Sequence, residues 1–338
     1  MSSNPFETTP SLTTSHIRRQ DLPTSVRRYA DKLVAQIRQI YAKYGAKDFE
    51  ELKENKKLSA QDARKVADLL KAFQNAVEKK EVEPELQEAI EALGRENVHG
   101  IEDVEAMLGQ GFIDISKVPP IPYTTEDLAK SKEIKEKTWF EEMLVLFVAD
   151  KDGKPLTGER MIGLIQAEYD KLGLGKFLAN TDWFKNEDFF TKLGLSYEWK
   201  LITKRTITNS KRTYHHHALG AGDNFTHQDT QEFVIEEYAR NLDIPRDRLH
   251  RPEPFQMLYA IALHLIATER LNGKGKGERI LIDDYHWSDV RCSVGAYVHV
   301  GNADSDGAIA NGGSYDSRHH LLGVCLSREP SSPKPSDT

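Results

Sequence analysis

The sequence predicts an α+β protein in which a helical bundle precedes a domain built on short antiparallel strands. Apolar residues recur at three-to-four spacing through the first third of the chain, which is typical of amphipathic helices. One continuous apolar run follows at Met143–Val148, and short alternating runs between glycines fill the last fifty residues. Helices first and strands afterwards, without regular alternation, indicate the α+β class.

The predicted bundle covers residues 23–118 and holds four or five helices. The first begins after Pro23 and carries apolar residues as far as Tyr41. The others are expected at Lys47–Asn55, from the N-cap Ser59 to Val77, at Pro84–Leu93 and at Ile101–Leu108. Such stripes are usually core, so two roles stay open: a small structural domain, or a module that binds a constant partner or a second copy.

The second predicted domain covers residues 119–328 and begins after the stiff segment Val118–Pro122. The Met143–Val148 run is expected to be a buried strand. The other predicted elements are helices at Thr125–Thr138, Thr157–Leu172, Thr226–Asn241 and Pro254–Leu271, and strands at Trp199–Thr203, Ala296–Val300 and Leu322–Leu326. Residues 1–22 and the tail 329–338 are rich in Ser, Thr and Pro and are expected to be disordered.

Composition argues against several classes of function. A net charge of -7 disfavours nucleic acid as a partner, and no apolar run reaches the length of a membrane span. Two cysteines are too few for a disulfide framework. Residues 1–20 contain no apolar core segment, so we expect no secretory signal and a cytoplasmic location, with export by an unrecognised route left open.

The segment Arg279–Arg328 has an unusual composition. It contains no Lys, Glu, Gln or Met, although these four types fill roughly a quarter of the preceding positions. Chance would produce such a run less than about once in a million trials at that usage. Asp, Ser, Gly, Ala, Asn, His, Tyr and Val take their place. Folding requirements alone do not explain this bias.

Several strings in the second domain, DWFKNEDFF, WKLITK, RPEPFQMLYAIALHL and LLGVCLSR, resemble the variable proteins of diversity-generating retroelements. This bacterial group is seen especially in candidate phyla of very small genome. The resemblance covers roughly Thr125–Arg328. It implies a C-type-lectin-like fold, similar to that of formylglycine-generating enzymes, used as a binding scaffold. In that family a reverse transcriptase misincorporates opposite template adenines, so that AAC and AAT codons become any codon ending in a pyrimidine.

The resemblance accounts for the composition, because codons ending in a pyrimidine encode none of Lys, Glu, Gln, Met or Trp. It implies that the variable, ligand-binding positions are Tyr285, His286, Asp289, Arg291, His299, Asn302, Asp304, Ser305, Asn311, Ser314, Tyr315, Ser317, His319 and His320. The scaffold positions that it implies are Trp287, Gly301, Gly307, Leu322, Gly323 and Val324.

We therefore expect a binding protein, not an enzyme, with no catalytic residue, metal or cofactor and with a variable protein or glycan as its ligand. The expected contacts are those of an antibody paratope, with Tyr285, Tyr297 and Tyr315 as aromatic anchors and Arg291 or Arg318 for carboxylates. Variable side chains should face solvent. The alternative is a lectin with a fixed ligand, or an enzyme like the formylglycine-generating enzymes, on the same scaffold.

Other motifs have structural explanations beside functional ones. His215–His217, with His227 and Asp229, resemble metal ligands but match no established spacing, so a solvated loop is favoured. Cys292 and Cys325 are over thirty residues apart, unlike the close catalytic cysteines of the enzymes named above, and Cys325 is expected to be a buried thiol.

Three glycine-containing segments resemble ligand loops only in part. Asp150–Gly153 and Asp304–Gly307 lack the spacing of a calcium loop and are predicted to be turns. Gly273–Gly277 lacks the ending of a phosphate loop and is predicted to be a flexible connection.

Overall fold

A computed structural model of the chain divides into two compact units, residues 1–87 and residues 88–338. The residues that it describes are 24–55, 57–79, 83–138, 141–150, 152–180, 182, 184–206, 235–241, 243–282, 284–314 and 322–331. The predicted disordered segment 1–22 and positions 332–338 of the predicted tail lie outside the described residues.

The described part of the first unit is helical, as predicted. Its helices are α1 (Thr24–Tyr44), α2 (Phe49–Lys53) and α3 (Ala60–Lys79). The apolar faces of α1 and α3 pack together with α2 around Leu52, which is completely buried. The Oγ of Ser59 accepts a hydrogen bond from the backbone N–H of Asp62 at 3.1 Å, so Ser59 caps α3 as the sequence predicts.

The division at residue 87 differs from the predicted boundary at residue 118, because residues 88–118 group with the second unit. The helix α4 (Pro84–Leu93) runs across the division, and the strand β1 (Val98–His99) pairs in parallel with β2 (Glu142–Phe147). The helix α5 (Ile101–Leu108) packs against a later helix, α10 (Pro254–Asn272). An apolar stripe predicts that a helix face is buried but not which element covers it, which is why periodicity does not locate this division.

The larger sheet of the second unit has the strand order β1-β2-β5-β11-β6. Its other strands are β5 (Glu198–Thr203), β6 (Leu249–His250) and β11 (Ser327–Arg328). β2 and β5 are antiparallel, and β11 lies antiparallel between β5 and β6. All six residues of β2 are buried, as its continuous apolar run predicts.

The helix α10 lies at the centre of the second unit. All residues from Pro254 to Glu269 are buried, which is expected of a helix that is apolar on every side. It packs against α5, against α7 (Gly158–Leu172) and against the strand β8 (Tyr297–Asp304).

The smaller sheet has the order β10-β7-β8-β9, with β7 (Tyr285–Arg291), β9 (Gly307–Gly313) and β10 (Leu322–Gly323). β7, β8 and β9 are antiparallel, whereas β10 is parallel to β7. Among the named strands of the described residues, β10 with β7 and β1 with β2 pair in parallel, and the others pair antiparallel.

The remaining elements connect or cover these sheets. They are α6 (Thr125–Thr138), α8 (Asp188–Thr191), α9 (Ile235–Asn241) and the paired strands β3 (Leu156–Thr157) and β4 (Gly194–Leu195). Of the predicted helix Thr226–Asn241, only the part from Ile235 lies within the described residues.

The predicted disordered tail begins too early. The backbone N–H of Glu329 donates to the carbonyl of Arg248, and the N–H and Oγ of Ser331 both donate to the carboxylate of Asp127, at 3.0 and 2.7 Å. These contacts attach residues 329–331 to the second unit.

The mixed architecture, with helices first and short, mainly antiparallel strands afterwards, confirms the predicted α+β class. Within the described ranges, no helix combines the length and the apolarity needed to cross a membrane.

Candidate functional site

The strands β7, β8 and β9 form a small antiparallel platform within the segment of unusual composition. The β7–β8 turn closes through hydrogen bonds from Gly295 N to Cys292 O (2.8 Å) and from Cys292 N to Ala296 O (2.9 Å). At the β8–β9 turn, the N–H of Asp306 donates to the carboxylate of Asp304 at 2.8 Å, which confirms a turn at Asp304–Gly307.

Pairing between the strands places side chains in rows, because directly opposed residues of a sheet share a face. The three rows on the outer face are Tyr285–Gly301–Ile309, Trp287–His299–Asn311 and Arg291–Tyr297–Gly313. Five of these positions are predicted variable residues or predicted aromatic anchors. This outer face is the candidate binding surface.

Aromatic contacts link the rows of the outer face. The ring of His299 lies edge-on to Tyr285 and to Trp287, with ring centroids 5.2 Å apart in each case. The guanidinium of Arg291 lies 4.5 Å from the ring centroid of Tyr297 and donates to its hydroxyl at 2.6 Å. These side chains therefore hold each other in place without needing a ligand.

The opposite face of the platform is buried. Val298 and Val300 are completely buried, as the predicted strand alternation requires, and so is Val324. Ser288 also lies on this face, where its hydroxyl donates to the carbonyl of Val298 at 2.8 Å. The sequence thus assigns the two faces correctly at these positions.

His286 contradicts the expectation that variable side chains face solvent. Its imidazole is completely buried, with Nε2 2.9 Å from the carbonyl oxygen of Pro252. Its Nδ1 accepts the backbone N–H of Cys325 at 2.9 Å, so Nε2 carries the proton and donates to Pro252. Both ring nitrogens are used in joining β7 to two other segments, and His286 is a framework residue.

Trp287 and three glycines have the surroundings of framework positions. Trp287 is completely buried although it lies on the outer face, where it is covered in part by His299. A Cβ at Gly313 would lie 2.6 Å from the Trp287 ring, and one at Gly301 would lie 1.9 Å from the carbonyl oxygen of Asp284. Gly307 has φ +109° and no room for a side chain beside residues 178 and 179.

Asn302 lies at an irregularity of β8, where the strand register shifts between Gly301 and Asp304. Its φ of 48° is left-handed, which Asn tolerates better than most residues. Its N–H donates to the carbonyl of Asp284 at 3.0 Å, and that of Ala303 donates to Leu281 at 2.9 Å. These bonds join the end of β8 to the segment that precedes β7, so backbone geometry restricts the predicted variation at this position.

Asp289 is exposed on β7 and faces a buried cation. One oxygen of its carboxylate lies 3.5 Å from Arg251, whose side chain is fully buried. Burial lowers the pKa of Arg251 to about 10, and the charge of Asp289 opposes this shift. Arg251 is not among the predicted site residues, and the one signal of it in the sequence is its position in the RPEP string beside a predicted helix.

The tip of the β8–β9 turn lies apart from the rows of the outer face. Ser305 and Asp306 line an open groove of about 610 Å³ together with residues of α7 and of the region that follows it, among them Asp170 and Lys176. Asn311 and Ser314 are exposed at the far end of β9. The predicted variable positions in the described residues are thus spread over several places: Tyr285, Arg291, His299 and Asn311 lie in the rows of the outer face, Ser305 lines the groove, and His286 lies in the interior.

The remaining predicted positions lie outside the described residues. They are Tyr315, Ser317, His319 and His320, the expected clamp Arg318, and the histidine-rich segment with His215–His217, His227 and Asp229. Among the residues that are described, no group of three or more His, Cys, Asp or Glu side chains could hold a metal ion.

Both cysteines are buried free thiols. Burial raises the pKa of Cys325 far above its ordinary value and outweighs the hydrogen bond with Thr203, which lowers it. This supports the expectation of an unreactive thiol at Cys325.

No protein-family model, curated protein or solved structure matches this chain.

Proposed function

We propose that the protein binds a macromolecular ligand through the outer face of the β7–β8–β9 platform. We further propose that a retroelement diversifies this face on a C-type-lectin-like scaffold, so that copies of the protein bind different proteins or glycans.

One observation carries the proposal. The sequence segment without Lys, Glu, Gln or Met coincides with a platform whose two faces differ in kind. The outer face presents Tyr285, His299 and Asn311 in adjacent rows, whereas the buried face carries Val298 and Val300. A surface that changes between copies needs this separation, because its side chains must vary without disturbing the core.

The side chains of the outer face suit contact with a macromolecule. Tyr285 and Tyr297 are half-buried, so their rings are held in place and lose little entropy when a ligand packs on them. Asn311, Ser314 and Asp289 are exposed around them and supply hydrogen-bonding groups. The charge of Arg291, already stacked on Tyr297, is available to a ligand carboxylate.

Binding is favoured over the enzyme alternative by the state of the cysteines. A nucleophilic or copper-binding cysteine acts as its thiolate, and the surroundings of Cys325 disfavour that form. Cys292 is also buried, in the turn between β7 and β8.

The genetic part of the proposal has a direct test. The DNA around the gene should contain a near-copy of the region that encodes Arg279–Arg328, beside a reverse transcriptase gene. Differences between the two copies should fall at adenines of the template. Finding no such copy, or differences spread over all four bases, would overturn diversification by a retroelement.

The binding part is tested by panning the full-length protein against arrays of surface proteins and glycans. A variant with Tyr285→Ala, His299→Ala and Asn311→Ala should lose the bound ligand, since these residues occupy adjacent rows. The matched control carries alanine at Lys154, Lys185 and Lys192, which are exposed and lie outside the platform. Equal binding by both variants would exclude the outer face as the site.

A further inference from the structure

Four polar side chains from four separate segments form one chain of contacts inside the second unit. His99 on β1 and His264 on α10 are joined through Nε2 and Nδ1 at 2.9 Å. His264 Nε2 lies 3.1 Å from the carboxylate of Glu278, which follows α10. The Nζ of Lys204, just after β5, lies 2.9 Å from the same carboxylate. Both imidazoles are completely buried.

The contacts determine where the protons lie. A carboxylate only accepts, so His264 Nε2 carries a proton and donates it to Glu278. A neutral His264 then accepts at Nδ1, and the proton between the two rings belongs to His99 Nε2. His99 Nδ1 is consequently an acceptor, and it is buried without a hydrogen bond within the described residues. If both rings were protonated, each of the two facing nitrogens would carry a proton, and the contact between them would become two opposed donors.

The charges around the pair do not favour a second positive charge. Arg95, just before β1, and Lys204 both act against protonation of His99. Glu278 is the carboxylate in contact with the pair, and it already binds Lys204. Glu141 lies one step farther along this chain of contacts, beyond Lys204, whose Nζ is 3.2 Å from its carboxylate.

Lys135 on α6 completes the set of charged groups. Its Nζ lies 2.6 Å from the carboxylate of Glu141. This positive charge reduces the electrostatic stabilisation that the carboxylate would give to a protonated histidine. The neutral forms of His99 and His264 are therefore the ones that this surrounding stabilises.

We propose that the contact between His99 and His264 is an acid-sensitive latch, which holds β1 against α10 at neutral pH and releases it in mild acid. This inference is independent of the proposed ligand-binding function.

The position of β1 makes such a latch effective. β1 has two residues, lies at the edge of its sheet and, in the part of the chain that the structure describes, pairs only with β2. A strand of two residues makes few backbone hydrogen bonds, and the His99–His264 contact adds a side-chain link from β1 to α10. The same chain of contacts also holds the loop before β7. It does so through Glu278, whose backbone N–H donates to the hydroxyl of Thr268 at 2.7 Å.

The direction of the pH effect follows from the pKa values. Burial lowers the pKa of both histidines from the ordinary 6.5, so the closed form binds fewer protons than the opened form. Opening therefore takes up protons, and attachment is lost as the pH falls below 6.5. Between pH 7 and pH 5, each histidine that protonates only on opening shifts the equilibrium by about 25-fold toward the opened form.

Amide hydrogen exchange on the full-length protein tests the latch. After correction for intrinsic rates, exchange at residues 98–100 should rise by about 25-fold or more from pH 7 to pH 5. In His99→Gln the side-chain amide still donates to His264 but cannot titrate. The rise in exchange should therefore be smaller by about the factor that one histidine contributes. His250→Gln, at an exposed histidine of β6, should retain the full rise.

Two results would overturn the proposal. One is unchanged exchange at residues 98–100 in the wild-type protein at pH 5. The other is an equal rise in the wild-type, His99→Gln and His250→Gln proteins. If His99→Gln fails to fold, NMR titration of the wild-type histidines decides: His99 and His264 signals that both titrate near 6.5 while the fold persists would exclude the latch.

Discussion

The guanidinium of Arg328 and the carboxylate of Glu142 form a salt bridge that is closed to solvent. The Nη2 of Arg328 lies 2.7 Å from Oε2 of Glu142, and both side chains are 1% exposed. The same nitrogen donates to the hydroxyl of Ser131 at 2.7 Å, so the bridge joins β11 to β2 and to α6. It attaches the end of the segment of unusual composition to the core of the second unit.

Removing one partner of this bridge should be costly. In Arg328→Met the carboxylate of Glu142 stays buried without its cation, and we expect a loss of about 3–5 kcal/mol in the free energy of unfolding. Urea denaturation measures it. Lys192→Met is the control, because Lys192 pairs with Asp188 at the surface, where no measurable change is expected. Equal stability of the two variants would contradict a structural role for the bridge.

Gly301→Ala should destabilise the platform by about 3 kcal/mol or more, since a Cβ at this position would lie 1.9 Å from the carbonyl oxygen of Asp284. The matched control is Gly163→Ala on the exposed side of α7, where a Cβ meets nothing within 4 Å. There we expect a gain of about 0.5–1 kcal/mol from helix propensity. Thermal unfolding of the two variants should move in opposite directions, and a tolerated Gly301→Ala would refute the packing argument.

His286 and Asn311 should respond differently to alanine, although both were predicted to be variable. His286→Ala removes two buried hydrogen bonds and should cost about 2–4 kcal/mol. Asn311→Ala, at an exposed position of the outer face, should change stability by less than about 0.5 kcal/mol. Chemical denaturation checks both values. A stable His286→Ala protein would return His286 to the set of positions free to vary.

Glu278 should make stability depend on pH in the acid range. Its hydrogen bond with His264, and then its contact with Lys204, lower its pKa from the ordinary 4.5 to about 2. The contribution of Glu278 is therefore present above 4.5 and is lost as the pH falls toward about 2. Glu278→Gln should be less stable than the wild type at neutral pH, and the difference should shrink across that window.

Urea denaturation at a series of pH values measures this difference. Glu159→Gln, at an exposed position in the first turn of α7, is the control and should follow the wild-type curve. A constant difference between Glu278→Gln and the wild type at all pH values would show that the carboxylate is not held in its charged form.

Local structure in this protein could be predicted well from sequence. The periodicity that ends at Leu172 and the continuous run at Met143–Val148 yield α7 and β2 within one residue of their observed bounds. Helix ends were predictable for the same local reason, as the capping of α3 by Ser59 illustrates. These features depend on residues a few positions apart, where spacing alone carries the physical information.

The candidate site was predictable in part. Alternation correctly separated Val298 and Val300 from the outer face. The family resemblance, by contrast, placed His286 among the binding residues, although its side chain is buried. The buried ring of His286 forms its two hydrogen bonds with the carbonyl of Pro252 and the backbone N–H of Cys325, both remote in sequence. A rule based on neighbouring positions has no access to such partners.

The sequence by itself predicted the helices longer than one turn, the strands β2, β5 and β8, and the unusual composition of Arg279–Arg328, since each is a property of consecutive residues. Only the tertiary structure decided that residues 88–118 join the second unit, that His99 meets His264, and that Arg251 lies behind Asp289. The physical reason is the same in all three cases. Burial and pairing depend on which distant segments contact each other, and one pattern of apolar spacing is compatible with many different tertiary contacts.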